Sequence, residues 1–444
     1  MRQIGAPLLI LFLQLSIGDA AALELAPYKT LPLPSPTAGV AIGDVTGDGL
    51  NDLVVITSTK QGAPDPAYDY SMFVYAQGAR GLFLPPISVN YSRNLRAFHA
   101  NHVALSDLNG DGVKDIIVGH ELGVTFFAGN RTGVFTPKKA SSGINYGVTG
   151  MALVDVDLDG MLDVVHTRAG DSVFPNLPAR VYYGDGTGSF PRKSDLPADT
   201  ISGPDVVRIG DARRLVAIHA DDDGRKDLVA WRAGYLWVMR HNGVGAFRLS
   251  TSSGSASHIL FADFTGDGLD DYVMWRAGVP LVDYFLFYVQ GAGGVFSYSG
   301  VNLPVTDLPL VSEAADVDSD GDNDVFFVKY NSPKLGFFER TITGFAPAVE
   351  FDLPGVQYGG NEAIAVGDLN NDGCKDIAIS NYETGVALLY GRNAASCRVV
   401  LPARPTETEF REVLPAKAVL PDRFPSRSGS RLNSPRKGSK LKVP

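Results

Sequence analysis

The chain has 444 residues, 45% of them hydrophobic and 20% charged, with a formal charge of −10. That composition excludes a wholly disordered chain and leaves room for a large core or two domains. The excess of acid, set in the loops described below, argues against nucleic acid as a partner of the folded part.

Residues 1–22 read as a secretory signal. Arg2 supplies the positive start, Leu8 to Leu15 the apolar run, and Ala20, Ala21 and Ala22 small residues for cleavage. The run is too short to span a bilayer comfortably, and no other stretch could cross one. The mature chain is therefore expected to be secreted, or periplasmic or at the cell surface in a bacterial host. The segment Leu25 to Pro34 has the pattern of a strand ending in Leu-Pro and matches Phe345 to Pro354 further on.

A nine-residue unit then recurs: oxygen side chains at positions 1, 3, 5 and 9, glycine at 6, apolar residues common at 7 and 8. The copies are Asp44, Thr46, Asp48, Asp52; Asp107, Asn109, Asp111, Asp115; and Asp155, Asp157, Asp159, Asp163. They continue as Asp263, Thr265, Asp267, Asp271; Asp316, Asp318, Asp320, Asp324; and Asp368, Asn370, Asp372, Asp376. A degenerate copy has His219 at position 1, followed by Asp221, Asp223 and Asp227. A hard cation takes six to eight oxygens, and alternate residues of a tight loop can all point inward. Oxygen-only ligand sets disfavour zinc and copper. The predicted cofactor is Ca2+ at about six loops, the degenerate fourth excepted. The ligand positions of the loops hold 23 of the 49 acidic residues, so the negative charge signals metal sites rather than a basic partner.

Each loop sits between short apolar runs, such as Gly39 to Gly43 and Leu53 to Ile56. An aromatic run and a turn of the Gly81-Leu82-Phe83 type follow. Four short strands per repeat of about fifty residues, with no helical period, predict an all-β fold. Seven copies give a seven-bladed β-propeller over residues 23–401, with calcium loops between the first two strands of each blade.

These D-x-[DNT]-x-D-G-x-x-D loops resemble the FG-GAP and VCBS repeats, best known from the propellers of integrin alpha subunits. The resemblance covers residues 25 to 401. It implies calcium on one face of the ring and ligand recognition on the other.

Ring closure is open between two segments: Leu25 to Pro34, or Ser396 to Leu401, could supply the last blade's outer strand. Cys374 and Cys397 fall near turns at the same end of that blade, so a disulfide is expected. Sequons occur at Asn90 and Asn130, and His99 and His102 lie three apart without a third ligand nearby. Residues 402–444 carry ten Lys or Arg against four acidic residues, with many Pro and Ser. They read as a basic disordered tail suited to anionic surfaces.

Five residues past the last Asp of each loop stand Thr57, His120, Arg168, Arg232, Arg276, Lys329 and Asn381. Trp231 and Trp275 precede two of the arginines. Equivalent positions form a ring, so a cationic, aromatic face opposite the loops is expected, suited to an anionic glycan or acidic protein loop. No nucleophile motif or phosphate loop is present. The leading functional reading is a binding or adhesion module for an extracellular glycan or protein. The alternative is a polysaccharide-active lyase or dehydratase using the same face.

Overall fold

The computed structural model describes residues 23–392 apart from 34–35, 58–69, 79–80, 93–101, 121–122, 142–146, 169–177, 197–208, 210–211, 233–234, 255–257, 277–282, 319, 330–331, 342, 357–362 and 382–384. The signal-like segment, Asn90's side chain, Cys397 and the basic tail lie outside the described residues or side chains.

The strands β3 (Asp52–Thr57), β7 (Asp115–His120), β11 (Asp163–Arg168), β23 (Asp324–Lys329) and β29 (Asp376–Asn381) are buried along their whole length. A strand buried on both faces reads as a continuous apolar run rather than an alternation, as Leu53-Val54-Val55-Ile56 does. Each is the second strand of an antiparallel four-stranded sheet, and both faces of that sheet are covered by neighbouring sheets.

There are seven such sheets in the described residues. Blade one is β2 (Thr37–Gly43), β3, β4 (Tyr70–Tyr75) and β5 (Ile87–Ser92). Blade two is β6 (His102–Ser106), β7, β8 (Gly123–Phe127) and β9 (Pro137–Ser141). Blade three is β10 (Val148–Val154), β11, β12 (Arg180–Tyr183) and β13 (Arg192–Asp195). Blade four is β14 (Arg214–Ile218), β15 (Asp227–Arg232), β16 (Tyr235–His241) and β17 (Phe247–Gly254). Blade five is β18 (Ile259–Ala262), β19 (Asp271–Arg276), β20 (Asp283–Gly291) and β21 (Val295–Val305). Blade six is β22 (Pro309–Ala315), β23, β24 (Lys334–Phe338) and β27 (Val349–Asp352), with a small hairpin of β25 (Arg340–Thr341) and β26 (Gly344–Phe345). Blade seven is β28 (Ile364–Gly367), β29 and β30 (Gly385–Leu389).

The outer strand of blade seven comes from the start of the chain. β1 (Lys29–Leu31) pairs antiparallel with β30, Lys29 opposite Leu388 and Leu31 opposite Val386. Leu25 bridges Gly391, and Ala26 N–H donates to Tyr390 O at 2.7 Å. Of the two closing segments left open by the sequence, the N-terminal one takes the place. Thr37 fastens the same seam from inside, its hydroxyl 2.8 Å from Asn381 O and 3.0 Å from Gly385 O.

The core is divided in the same way. Seven apolar clusters each lie between two consecutive blades, including one between blade seven and blade one. The cluster between blades three and four is built on Trp237 and Phe247, that between five and six on Phe264, Phe285 and Phe327. A fully buried side chain of this size stabilises by about 1.5–3 kcal/mol. Most of the fold's apolar burial thus sits between blades, and each blade needs both neighbours. No helix among the described residues is long and apolar enough to cross a membrane.

Candidate functional site

Each acidic loop joins the first and second strands of its blade, and its carboxylates fold it. In blade one Asp44 Oδ1 accepts from Gly47 N at 2.5 Å, and Oδ2 from Gly49 N at 2.8 Å. Asp48 Oδ1 accepts from Leu50 N at 2.9 Å. The same pattern recurs at Asp107 and Asp111, at Asp263 and Asp267, and at Asp368 and Asp372. The glycine at position 6 has a φ of +84° in blade one, which a side chain would resist. Position 4 is also left-handed in blades one, two, three, five and seven. Blade three places Leu158 there at φ 61°, where blades one, two and five have glycine.

The ninth-position aspartates have a second task. All seven are buried. Asp52 Oδ2 accepts from Val45 N and Thr46 N at 3.0 Å, while Oδ1 accepts from Gln77 N, just past the third strand, at 3.1 Å. Asp163 does the same with Val156 and Gly184, both at 2.8 Å, and Asp376 with Leu369 and Gly391 at 2.8 and 2.9 Å. One carboxylate per blade therefore ties the acidic loop to the end of the third strand, a structural role that the ligand pattern alone did not reveal. Burial pushes the carboxyls of Asp163, Asp227 and Asp271 up to about 6, Asp376 to about 7 and Asp324 to about 8. Asp52 and Asp115 are raised for the same reason.

The loops are also joined to one another. Lys114 N of blade two donates to Asp44 O of blade one at 3.0 Å, and Asn323 Nδ2 of blade six to Asp263 O of blade five at 2.9 Å. Across the seam Asn51 Nδ2 donates to Asp368 O at 3.2 Å.

Several loops fit a hard cation. In blades three and six the carboxylate oxygens of Asp155, Asp157 and Asp159, and of Asp316, Asp318 and Asp320, come within 4.8 Å of one another. The buried hydroxyls of Thr46 and Thr265 lie beside the ninth-position carboxylate but complete no hydrogen bond, and Asp157 Oδ1 also has none. All three are third-position oxygens, so the atoms left over are those a cation would use. Asp157 Oδ2, however, meets Arg192, whose guanidinium also lies 3.6 Å from the Tyr183 ring centroid. In blade six burial and Asp320 push Asp318 up to about 6, and Glu339 is raised by burial and by Asp320, which marks this loop as dense in negative charge.

Blade four does not fit. His219 takes the first position without supplying a carboxylate, and its backbone N–H donates to Asp270 Oδ2 at 2.6 Å. Arg225 meets Asp223, and Arg240 Nε lies 3.6 Å from Asp221 Oδ2. Arg240 also donates to Gly293 O and Gly294 O of blade five at 3.0 and 2.9 Å. Side-chain cations do in blade four what a metal ion would do elsewhere.

At the opposite strand ends the expected cationic ring is reduced. Arg168 is buried and donates to Pro178 O at 2.6 and 3.1 Å, with Asp195 at 3.4 Å. Lys329 is buried against Glu350 and Thr306 Oγ1. His120 is buried with Nε2 2.8 Å from Thr125 Oγ1, and Thr57 and Asn381 are buried as well. Local acceptors from the neighbouring third and fourth strands drew these groups inward. Arg232 and Arg276, on adjacent blades, remain exposed. Trp231 packs against Phe261 between blades four and five, and Trp275 belongs to the next cluster. The two tryptophans are thus core residues at their bodies. Cys374 is disulfide-bonded, and Cys397 is the only other cysteine in the chain.

A family model described as the FG-GAP-like repeat matches residues 67–166, 220–274 and 316–379. The chain is a seven-bladed FG-GAP-repeat propeller. The matched segments of this propeller contain five of the seven acidic loops. Among solved structures it is similar to a lectin of Agrocybe aegerita described as recognising non-reducing terminal N-acetylglucosamine. The TM-score is 0.51 at 19% identity, covering 72% of this chain and 81% of the lectin. It is also similar to BBS1N from its complex with ARL6DN, with a TM-score of 0.51 at 10% identity, covering 84% of this chain and 98% of the other. These likenesses describe the fold. No curated protein matches the sequence.

Proposed function

We propose that this FG-GAP propeller is a calcium-stiffened extracellular binding module whose ligand is an anionic glycan. The observation that carries the reading is the pair Arg232 and Arg276. They are exposed, hold equivalent positions on adjacent blades, and lie at strand ends opposite the acidic loops. Guanidinium groups suit carboxylate or sulfate through planar paired donors. The glycan-recognising lectin of similar fold supports a sugar over other acidic ligands.

The residues of the loops would hold Ca2+ through Asp155, Asp157 and Asp159 in blade three and through Asp316, Asp318 and Asp320 in blade six. Thr46 and Thr265 would contribute their hydroxyls in blades one and five. When bound, calcium would neutralise carboxylates that otherwise repel one another and cross-link the loop oxygens. The ninth-position aspartates pass that order to the end of the third strand, and the loop-to-loop hydrogen bonds pass it to the next blade. Rigid blades hold Arg232 and Arg276 at a constant separation, so less conformational entropy is lost on binding.

The test is the double change Arg232→Gln and Arg276→Gln, assayed against acidic and neutral polysaccharides at low and high salt. Wild type should bind the acidic series and lose it at high salt. The double variant should bind at least about tenfold more weakly, about 1.4 kcal/mol. Equal binding by a folded double variant overturns the proposal.

A further inference from the structure

The inner strands of blades two to six enclose a cavity of about 380 Å3 along the propeller axis. Its polar lining is organised. His102 of blade two stands opposite Gly119, and Arg214 of blade four opposite Trp231. His258 O of blade five accepts from Trp275 N at 2.9 Å. Each of these partners lies four residues past its blade's ninth-position aspartate, so His102, Arg214 and His258 share one tier of the channel. Blade six adds Ser312, whose hydroxyl lies 2.7 Å from His258 Nε2, and Glu313.

We propose that this channel is a second binding site, for a small, neutral, polyhydroxylated molecule: a sugar or sugar alcohol of roughly one or two rings. The argument is one of charge and hydrogen-bonding type. Arg214 and Glu313 carry opposite charges, so the lining offers no net charge to an ion. Burial, and then the Arg214 charge, hold the His258 imidazole down at about 3, so it is neutral at physiological pH. His258 Nε2 and the Ser312 hydroxyl share one hydrogen bond, and the remaining hydrogen-bonding site of the hydroxyl matches a sugar hydroxyl, which both donates and accepts. Arg214 adds donors and Glu313 acceptors. Phe261, half-buried in the lining, supplies apolar surface against which the C–H face of a sugar ring packs. The volume lies at the lower end of small-molecule sites, which sets the size of the ligand. This ligand is uncharged and lies within the ring, whereas the arginine pair of the strand ends would take an acidic chain on the surface. The two sites are therefore separable by experiment.

Ligand-observed NMR and titration calorimetry on the full chain test the idea. Probes are glucose, galactose, N-acetylglucosamine, cellobiose and sorbitol, with glycine and succinate as charged controls. Saturable binding of at least one neutral probe is expected, and none of the controls. Arg214→Ala should weaken it by roughly tenfold or more, about 1.4 kcal/mol. Ala217→Leu, which adds bulk inside the cavity, should abolish it, with the melting temperature of each variant recorded. Glu313→Gln keeps an acceptor and should weaken a neutral probe only a few-fold, while it would abolish binding of a zwitterion. Binding of glycine or succinate in place of the neutral probes overturns the ligand class. Absence of binding by wild type to every probe, or neutral-probe binding unaltered in folded Arg214→Ala and Ala217→Leu, overturns the site. Loss of acidic-polysaccharide binding only in the Arg232 and Arg276 double variant would leave this channel proposal untouched.

Discussion

Removing divalent ions should invert the dependence of stability on pH. The ninth-position carboxyls are buried among backbone N–H donors, and their folded values lie above the usual 3.8, from about 6 for Asp163 to about 8 for Asp324. A carboxyl raised in the folded state contributes its stability fully below the unfolded value and loses it as pH rises through the folded value. The window is therefore about pH 4 to pH 8. For Asp324, moving from about pH 5 to about pH 7.5 costs about 3 kcal/mol, since the unfolded chain ionises and the folded chain does not. Asp376, raised to about 7, adds about 2–3 kcal/mol, and the three groups near 6 about 1 kcal/mol each. The full sum rivals the net stability of a domain and is a ceiling. Asp324 alone, with an unfolding entropy of about 2.1 cal/mol/K for each of about 370 residues, lowers the melting temperature by about 4 °C. Asp107 is held low because the N–H groups of Gly112, Gly110 and Asp111 outweigh the effect of burial, and its contribution is lost only at more acidic pH. The assay is thermal melting by circular dichroism in EDTA at about pH 5, 6 and 7.5, beside a series in millimolar calcium. A bound dication favours the ionised form, so the calcium series should rise with pH where the EDTA series falls. A melting temperature in EDTA that is flat or climbs over this range refutes the reasoning.

Thr37→Val should destabilise by about 1–3 kcal/mol in urea unfolding, because the carbonyls of Asn381 and Gly385 lose their buried donor at the seam. Arg240→Ala should cost about 1–2 kcal/mol, equally in calcium and in EDTA, since the guanidinium serves blade four in place of a metal. An Arg240→Ala effect that vanishes in calcium would contradict that substitution of roles. Leu158→Gly should raise stability by up to about 1 kcal/mol by relieving a left-handed leucine, as read from the unfolding midpoint. Trp237→Ala should cost about 3–5 kcal/mol through the cavity left between blades three and four, seen as an early melting transition.

The blade count and the loop positions were legible because each loop is a local code. Nine consecutive residues hold its carboxylates, its glycine and the start of the buried strand that follows. The ninth aspartate's link to the third strand was not legible, since Gln77 lies 25 residues from Asp52 and nothing in either residue announces the contact. The strand-end cations show the same limit. Counting placed Arg168 and Arg276 at equivalent positions, and the pairing register agrees. Which of them faces solvent depends on what stands nearby. Pro178 O and Asp195 lie within reach of Arg168, whereas Arg276 stays exposed. The channel tier was invisible because His102, Arg214 and His258 come from three blades with no shared local motif.

The closure of the ring by β1 has a consequence for synthesis. β1, made early, must wait for β30, made late, because Lys29 pairs with Leu388. A ribosome adding about 5–20 residues per second needs roughly 20–70 s to cover that distance. Throughout it, β1 has no partner within its own chain, and when blade seven does emerge its β30 offers a bare edge to any strand of the right sequence. Neighbouring chains on one message carry identical first strands, and exchange between identical elements is a low-cost route to a dimer. Fast expression of this protein should therefore yield some pairs of complete rings that have traded their first strands, a product that slower translation suppresses.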